Sequence, residues 1–166
     1  MKKPAVFLDR DGVINEDKGY VSNINDFIWI KGSKEAIKLL NTRGYYVFVV
    51  TNQSGVARGL YSEQDVENLH SYINTTLKEI NAKIDDFFYS PYHPIDKTKQ
   101  FEHLKHLRKP NTGMLIAACK KWEVDKKRSF MIGDSKKDLM CANNFEINGY
   151  LFNGNNLLDF VEKIIN

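Results

Sequence analysis

The chain has 166 residues, enough for one domain with a sizeable buried core. Hydrophobic residues make up 42% and charged residues 27%, the balance of an ordinary soluble globular protein. A net charge of +3 is too small to imply nucleic acid or a membrane surface as partner, and no stretch approaches the ~20 apolar residues that span a bilayer.

In chain order, strands and helices alternate. Ala5 to Leu8 is a short apolar run and reads as a buried strand. Ser33 to Arg43 carries Ala36, Ile37, Leu39 and Leu40 at helical spacing, with Gly44 as its stop. Tyr45 to Val50 is β-branched or aromatic throughout and predicts a strand. Ser62 opens a helix, with Asp65 placed for a capping box and Val66, Leu69, Ile73, Leu77 and Ile80 on one stripe. Asp86 to Ser90 predicts a strand, Thr112 to Trp122 a helix and Arg128 to Ile132 a strand. Ser135 to Phe145 predicts a helix, Asn148 to Phe152 a strand and Leu157 to Ile165 a closing helix. This alternation implies βαβ units, hence an α/β fold with a mostly parallel sheet covered on both faces. The expected organisation is a single domain over residues 1–166. Pro91 to Asn111 is a long connection without a pattern of its own, the kind of segment that carries function.

Cys119 and Cys141 fall in predicted helices and form no metal-type pair, which argues against a structural disulfide and fits a reducing cytoplasm. The apolar run near the N-terminus is too short for a signal peptide. The expectation is a cytoplasmic monomer with a small-molecule partner and neither a nucleic-acid nor a membrane partner.

Ligands of open α/β sheets bind beyond the carboxyl ends of the strands. Asp9-Arg10-Asp11-Gly12 follows the first predicted strand, and Thr51-Asn52-Gln53-Ser54-Gly55 the second. Gly133-Asp134 follows the fourth, with Asp138 one helical turn on. Arg108-Lys109-Pro110 leads out of the long connection. Asp9, Asp11 and Asp134 would repel one another unless a cation lay among them, and oxygen-rich carboxylate sites suit Mg²⁺. The Thr51 hydroxyl and the Lys109 charge are groups that stabilise a phosphoryl oxygen. A carboxylate can attack phosphorus covalently. Each aspartate alone would read as a turn or helix cap. Together, at successive strand ends, they point to one site.

With these residues in place, the sequence resembles the haloacid dehalogenase (HAD) superfamily of phosphatases, and within it the branch of histidinol-phosphatases and heptose-bisphosphatases. FLDRDGVIN (7–15), GYV (19–21), VVTNQSGVARG (49–59), YHP (92–94), RKPNTGM (108–114) and MIGDSKKD (131–138) match that branch in order and spacing. The resemblance implies a Rossmann-like three-layer sandwich without a separate cap domain. It implies Asp9 as nucleophile and Asp11 as general acid and base, with Thr51 and Lys109 holding the phosphoryl oxygens. It places Mg²⁺ on Asp9, Asp134 and the Asp11 carbonyl, oriented by Asp138. It assigns Asp17, Tyr20, Asn52, Gln53, Ser54 and Arg108 to the substrate.

The likeness breaks at one place. Many members hold a structural zinc on the long connection with three cysteines and a histidine; here those positions are Ser90, Tyr92, Lys105 and Leu107. No zinc is expected there. His93, His103 and His106 remain on that segment but fit no standard cage, and Phe101, Leu104 and Leu107, three apart, could form an apolar face instead. Among Phe27, Ile28, Trp29 and Ile30, core packing is expected for Phe27, Ile28 and Ile30.

The implied reaction is hydrolysis of a sugar phosphate monoester, first of all the 7-phosphate of heptose bisphosphate. Histidinol phosphate is the alternative, and a polynucleotide 3′-phosphate a more distant one. A non-catalytic phosphoreceiver domain would need an adjacent acidic pair on the first strand, whereas here the two acids are separated by Arg10.

Overall fold

Five parallel strands form one sheet in the computed structural model, which describes residues 1–166. They are β1 (Ala5–Leu8), β2 (Tyr46–Asn52), β3 (Asp86–Ser90), β4 (Phe130–Gly133) and β5 (Asn148–Leu151), in the order β3-β2-β1-β4-β5. Every pair is parallel, so the expected mostly parallel sheet is wholly so. β2 runs two residues past Val50, because Thr51 and Asn52 continue the register against Tyr89 and Ser90. β4 begins at Phe130, since Lys126–Arg128 winds into a short 3-10 helix first.

The period of two along each strand sorts the core into two layers. Val6, Leu8, Val47, Val49 and Ile132 face one side, where α1 (Ser33–Thr42), α2 (Glu63–Lys78) and α5 (Leu157–Ile165) bury their apolar stripes. Ala5, Phe7, Phe48, Val50 and Met131 face the other side, under α3 (Gly113–Lys121) and α4 (Lys136–Asn144). The three-layer α/β sandwich follows from this sorting. Truncating a fully buried ring such as Phe48 to alanine costs about 3–5 kcal/mol in such a core. The capping box of α2 is formed: Asp65 N donates to Ser62 Oγ (3.1 Å) and Ser62 N to Asp65 Oδ2 (2.8 Å).

No second sheet is inserted after Asp11 or after β3. The connection between β1 and α1 is pinned by short bridges at Asp11↔Asn15 and Asn15↔Trp29. Phe27 is buried, Trp29 and Ile30 pack against the core, and Ile28, expected to pack, instead faces solvent at 41% exposure. In the long connection, Phe101 joins Val56 and Val66 in a small cluster with Leu104 against it. Leu107 packs with the α3 and α4 layer. The 3-10 helix Glu102–Leu107, with three residues per turn, keeps the spacing-three face on one side, where it is shared between two clusters, and its exposed side carries His103 and His106. Both cysteines are free thiols.

Candidate active site

Polar residues stand at or just beyond the ends of the central strand and its two neighbours, Asp9 after β1, Thr51 and Asn52 closing β2 and Asp134 after β4, and these ends meet where the strand order turns back between β1 and β4. That is the crevice position of doubly wound sheets. An open cleft of about 330 Å³ lies there, with Asp9, Asp11, Asn52, Lys109, Asp134 and Asp138 among its walls. Asp17, Tyr20, Gln53 and Ser54 line the same cleft. Arg108 does not: it lines the adjoining hollow with Tyr92 and His106, and its Nη1 donates to the Tyr92 carbonyl (3.3 Å). Lys109 belongs to both hollows.

Asp9 and Lys109 form the floor. Lys109 is only 2% exposed, and its Nζ reaches Asp9 Oδ1 (2.9 Å), Asp138 Oδ1 (2.7 Å) and the Val50 carbonyl (2.8 Å). Burial lowers the Lys109 ammonium, but the two carboxylates outweigh it and hold the group well above its ordinary value. Lys109 is placed by Asn52, whose Oδ1 accepts from Lys109 N (2.9 Å) and whose Nδ2 donates to Lys109 O (3.1 Å). The Lys109–Pro110 peptide is cis.

Asp9 Oδ1 also accepts from Arg10 N (2.8 Å). Its Oδ2 receives no hydrogen bond from any amide, amine or hydroxyl. The carboxyl of Asp134 lies within hydrogen-bond reach of Asp9. Burial raises Asp9 first; Lys109 pulls it down and Asp138 pushes it up again, leaving it at about 8. Asp134 is raised too, mainly by burial and then by Asp138, against the lowering pull of Asp9 and Lys109. Carboxyls of Asp9, Asp134 and Asp138 offer oxygens within 4.8 Å of one another, and no other group of three or more potential ligands converges in the chain. His93, His103 and His106 thus form no cluster; His93 pairs instead with Arg58 (3.1 Å).

Asp138 is already committed. Its Oδ2 accepts from Asp134 N (3.2 Å), Ser135 N (3.1 Å) and Ser135 Oγ (3.0 Å), closing the capping box of α4, while Oδ1 meets Lys109. The strand ends approach so closely that glycine is required. A Cβ on Gly12, whose φ is +85°, would sit 1.9 Å from Asp134 Oδ2. On Gly133 it would sit 2.1 Å from Asp138 Cβ.

Asp11 is held from behind. Its Oδ1 accepts from Arg10 Nη2 (3.0 Å) and Asn15 Nδ2 (3.0 Å), its Oδ2 from Arg10 Nη2 (3.2 Å) and Gln53 Nε2 (3.0 Å). Gln53 also donates to Thr51 Oγ1 (2.8 Å) and accepts from Tyr61 OH (2.7 Å), which fixes its amide orientation. Thr51 therefore keeps its own hydroxyl proton free for another acceptor. Sequence reasoning missed Arg10 and His70. Arg10 is completely buried, the largest such side chain, and its Nη1 meets His70 Nε2 at 3.3 Å. The only signal was a basic residue placed between two acids at the end of a buried strand.

Comparison with known proteins identifies the family. A model of the family described as polynucleotide kinase 3 phosphatase matches residues 5–161. Over 164 residues the chain is 43% identical to a D-glycero-beta-D-manno-heptose-1,7-bisphosphate 7-phosphatase of Rhodopseudomonas palustris, covering 99% of this chain and 91% of that one. It is 40% identical over 139 residues to the protein of the same name in Escherichia coli, covering 84% and 73%. A solved D,D-heptose 1,7-bisphosphate phosphatase from B. bronchiseptica, complexed with magnesium and phosphate, matches with a TM-score of 0.84 at 27% identity, covering 98% of each chain.

Proposed function

Because this chain belongs to the polynucleotide kinase 3 phosphatase family of HAD-superfamily phosphatases, we propose that it hydrolyses the 7-phosphate of D-glycero-D-manno-heptose 1,7-bisphosphate through an aspartyl-phosphate. The observation that carries the mechanism is the state of Asp9: one carboxylate oxygen is pinned by Lys109 and the Arg10 amide, and the other meets no amide, amine or hydroxyl at the cleft floor. The substrate rests on the relatives, which are 40–43% identical over the matched residues and carry that name.

In this reading that second oxygen of Asp9 attacks phosphorus in line. The bond to the ester oxygen breaks, and Asp11 gives that oxygen a proton. Asp11 then takes a proton from water, which attacks the phosphorus of the acyl phosphate and restores Asp9. Thr51 donates its hydroxyl hydrogen to a phosphoryl oxygen, and Lys109 offsets the charge that builds on the equatorial oxygens. The donor set fits Mg²⁺: two neighbouring carboxyls, Asp9 and Asp134, sit within hydrogen-bond reach, an arrangement that calls for a proton or a cation between them. Asp9, Asp134 and the Asp11 carbonyl would hold the ion, which lets an anionic carboxylate approach an anionic phosphate. Asp138 acts by orienting Lys109 and the loop that carries Asp134. Asp17, Tyr20, Asn52 and Ser54 face the sugar, Gln53 fixes Asp11 and Thr51, and Arg108 closes the mouth. The long connection is held by the Phe101 cluster in place of a zinc ion. The chain works in the cytoplasm as a monomer.

The family description favours a second reading, a 3′-phosphate at a nucleic-acid end. A phosphate-release panel in Mg²⁺ separates them. Heptose bisphosphate should exceed histidinol phosphate and 3′-phosphorylated DNA in kcat/KM. A preference for either of the others would replace the proposed substrate and leave the phosphatase chemistry standing.

A further inference from the structure

We propose that Arg10, backed by His70, is a positioning residue that aims the Asp11 carboxyl at the leaving oxygen of the substrate; this rests on the reading of Asp11 as general acid. Arg10 is fully buried and does not line the cleft, so it touches no substrate. The contacts of its Nη2 run to parts of the site, and Nη1 meets His70. Nη2 donates to both oxygens of Asp11, to the Val21 carbonyl (2.6 Å) and weakly to Gln53 Oε1 (3.4 Å). Val21 ends the loop that presents Asp17 and Tyr20 to the cleft. One guanidinium thus ties the proton donor to the substrate loop and to the end of β2. Its Nε has no partner, so the side chain is held by its tip alone.

His70 completes the hold from α2. A guanidinium has no acceptor, so His70 Nε2 accepts from Arg10 Nη1 and the ring proton sits on Nδ1. The ring is clamped face to face on Phe87, with centroids 4.5 Å apart and planes 15° apart. Burial, and then Arg10, hold its pKa down to about 3, so it stays the neutral acceptor this contact needs. The chain of contact runs Phe87, His70, Arg10, Asp11.

A residue that only holds the fold would affect all substrates alike. A residue that aims a proton donor matters in proportion to how badly the leaving group needs a proton. The test compares kcat/KM, which reports the steps through transfer to Asp9, for a sugar phosphate and for p-nitrophenyl phosphate, whose leaving group departs without a proton. Arg10→Gln should lower kcat/KM for the sugar phosphate by about 10²-fold and His70→Phe by about tenfold, with p-nitrophenyl phosphate changed by less than about threefold. His70→Phe keeps the aromatic stack and the guanidinium, so it decides the matter alone if Arg10→Gln fails to fold. Equal losses on both substrates, or no loss on either, would overturn the proposal. Asp11→Asn is the reference and should show the same selectivity. A uniform loss in Asp11→Asn would sink the acid role of Asp11, and the Arg10 proposal with it.

Discussion

At the bottom of the cleft Lys109 and Asp138 are bonded several times over, while at its mouth the side chains stand apart. Lys109 meets three oxygens and Asp138 four donors, both almost sealed from water. Tyr20 is 48% exposed and Ile95 66% exposed, and Arg58 touches Tyr20 only through its ring, at 5.8 Å. The floor is a fixed electrostatic arrangement suited to one reaction. The rim is a set of replaceable contacts suited to choosing a substrate. Mutations in the two regions should therefore divide cleanly between kcat and KM.

The largest effect belongs to the nucleophile. Asp9→Asn should lower kcat by about 10⁴-fold or more, measured by phosphate release, and no phosphoenzyme should form. Residual turnover near the parent level would break the assignment of the floor. Lys109→Met comes next. It leaves Asp9 and Asp138 buried without their cation, so it should cost about 3–5 kcal/mol of stability in urea unfolding and about 10²–10³-fold in kcat. A stable variant would mean that the buried pair is not what holds the floor. Removing Mg²⁺ with a chelator should lower the melting temperature, since an ion at 100 times its dissociation constant adds about 2.7 kcal/mol, and Asp134→Ala should abolish that shift. At the rim, Arg108→Ala should raise KM about tenfold, ~1.4 kcal/mol, with kcat and stability unchanged. A fall in kcat instead would move Arg108 from rim to floor.

The smallest effect concerns pH and lies behind the floor. His70 is held near 3, against an ordinary value of 6.5. As pH falls below 6.5 the unfolded chain binds a proton that the folded chain refuses, so stability is lost from about 6.5 down towards 3. His70→Phe removes that part of the loss, and its urea midpoint should fall less steeply with acid than the parent's. Parallel slopes would show that His70 is not held neutral.

The sheet and the floor of the site were legible in the sequence because their signals are local. Apolar runs and 3.6-residue stripes marked the strands and helices, and the strand-end rule gathered Asp9, Asp11, Thr51 and Asp134. Lys109 was legible from its place at the exit of the long connection. The partners of Asp11 were not. Arg10 sits between two acids in sequence, and a charged residue there reads as solvated; only the packing of α2 against the sheet, with His70 stacked on Phe87 and meeting Arg10, shows that it is sealed in. His70 lies beside the apolar residue Leu69 on α2, and nothing local says that its ring meets a guanidinium 60 positions away. Ile28 failed because the whole apolar run was read as packed, whereas this one side chain of the run faces solvent.

The missing side chain at position 12 sets how near the turn after β1 can come to the Asp134 side chain. Any larger residue there would wedge Asp134 away from Asp9 and stretch the gap that both carboxyls must share. Drift at this one position is thereby barred, even though residue 12 itself does no chemistry. The mouth of the cleft can be rewritten by selection for a new sugar, whereas the spacing of the acids beneath it is enforced by a hydrogen atom.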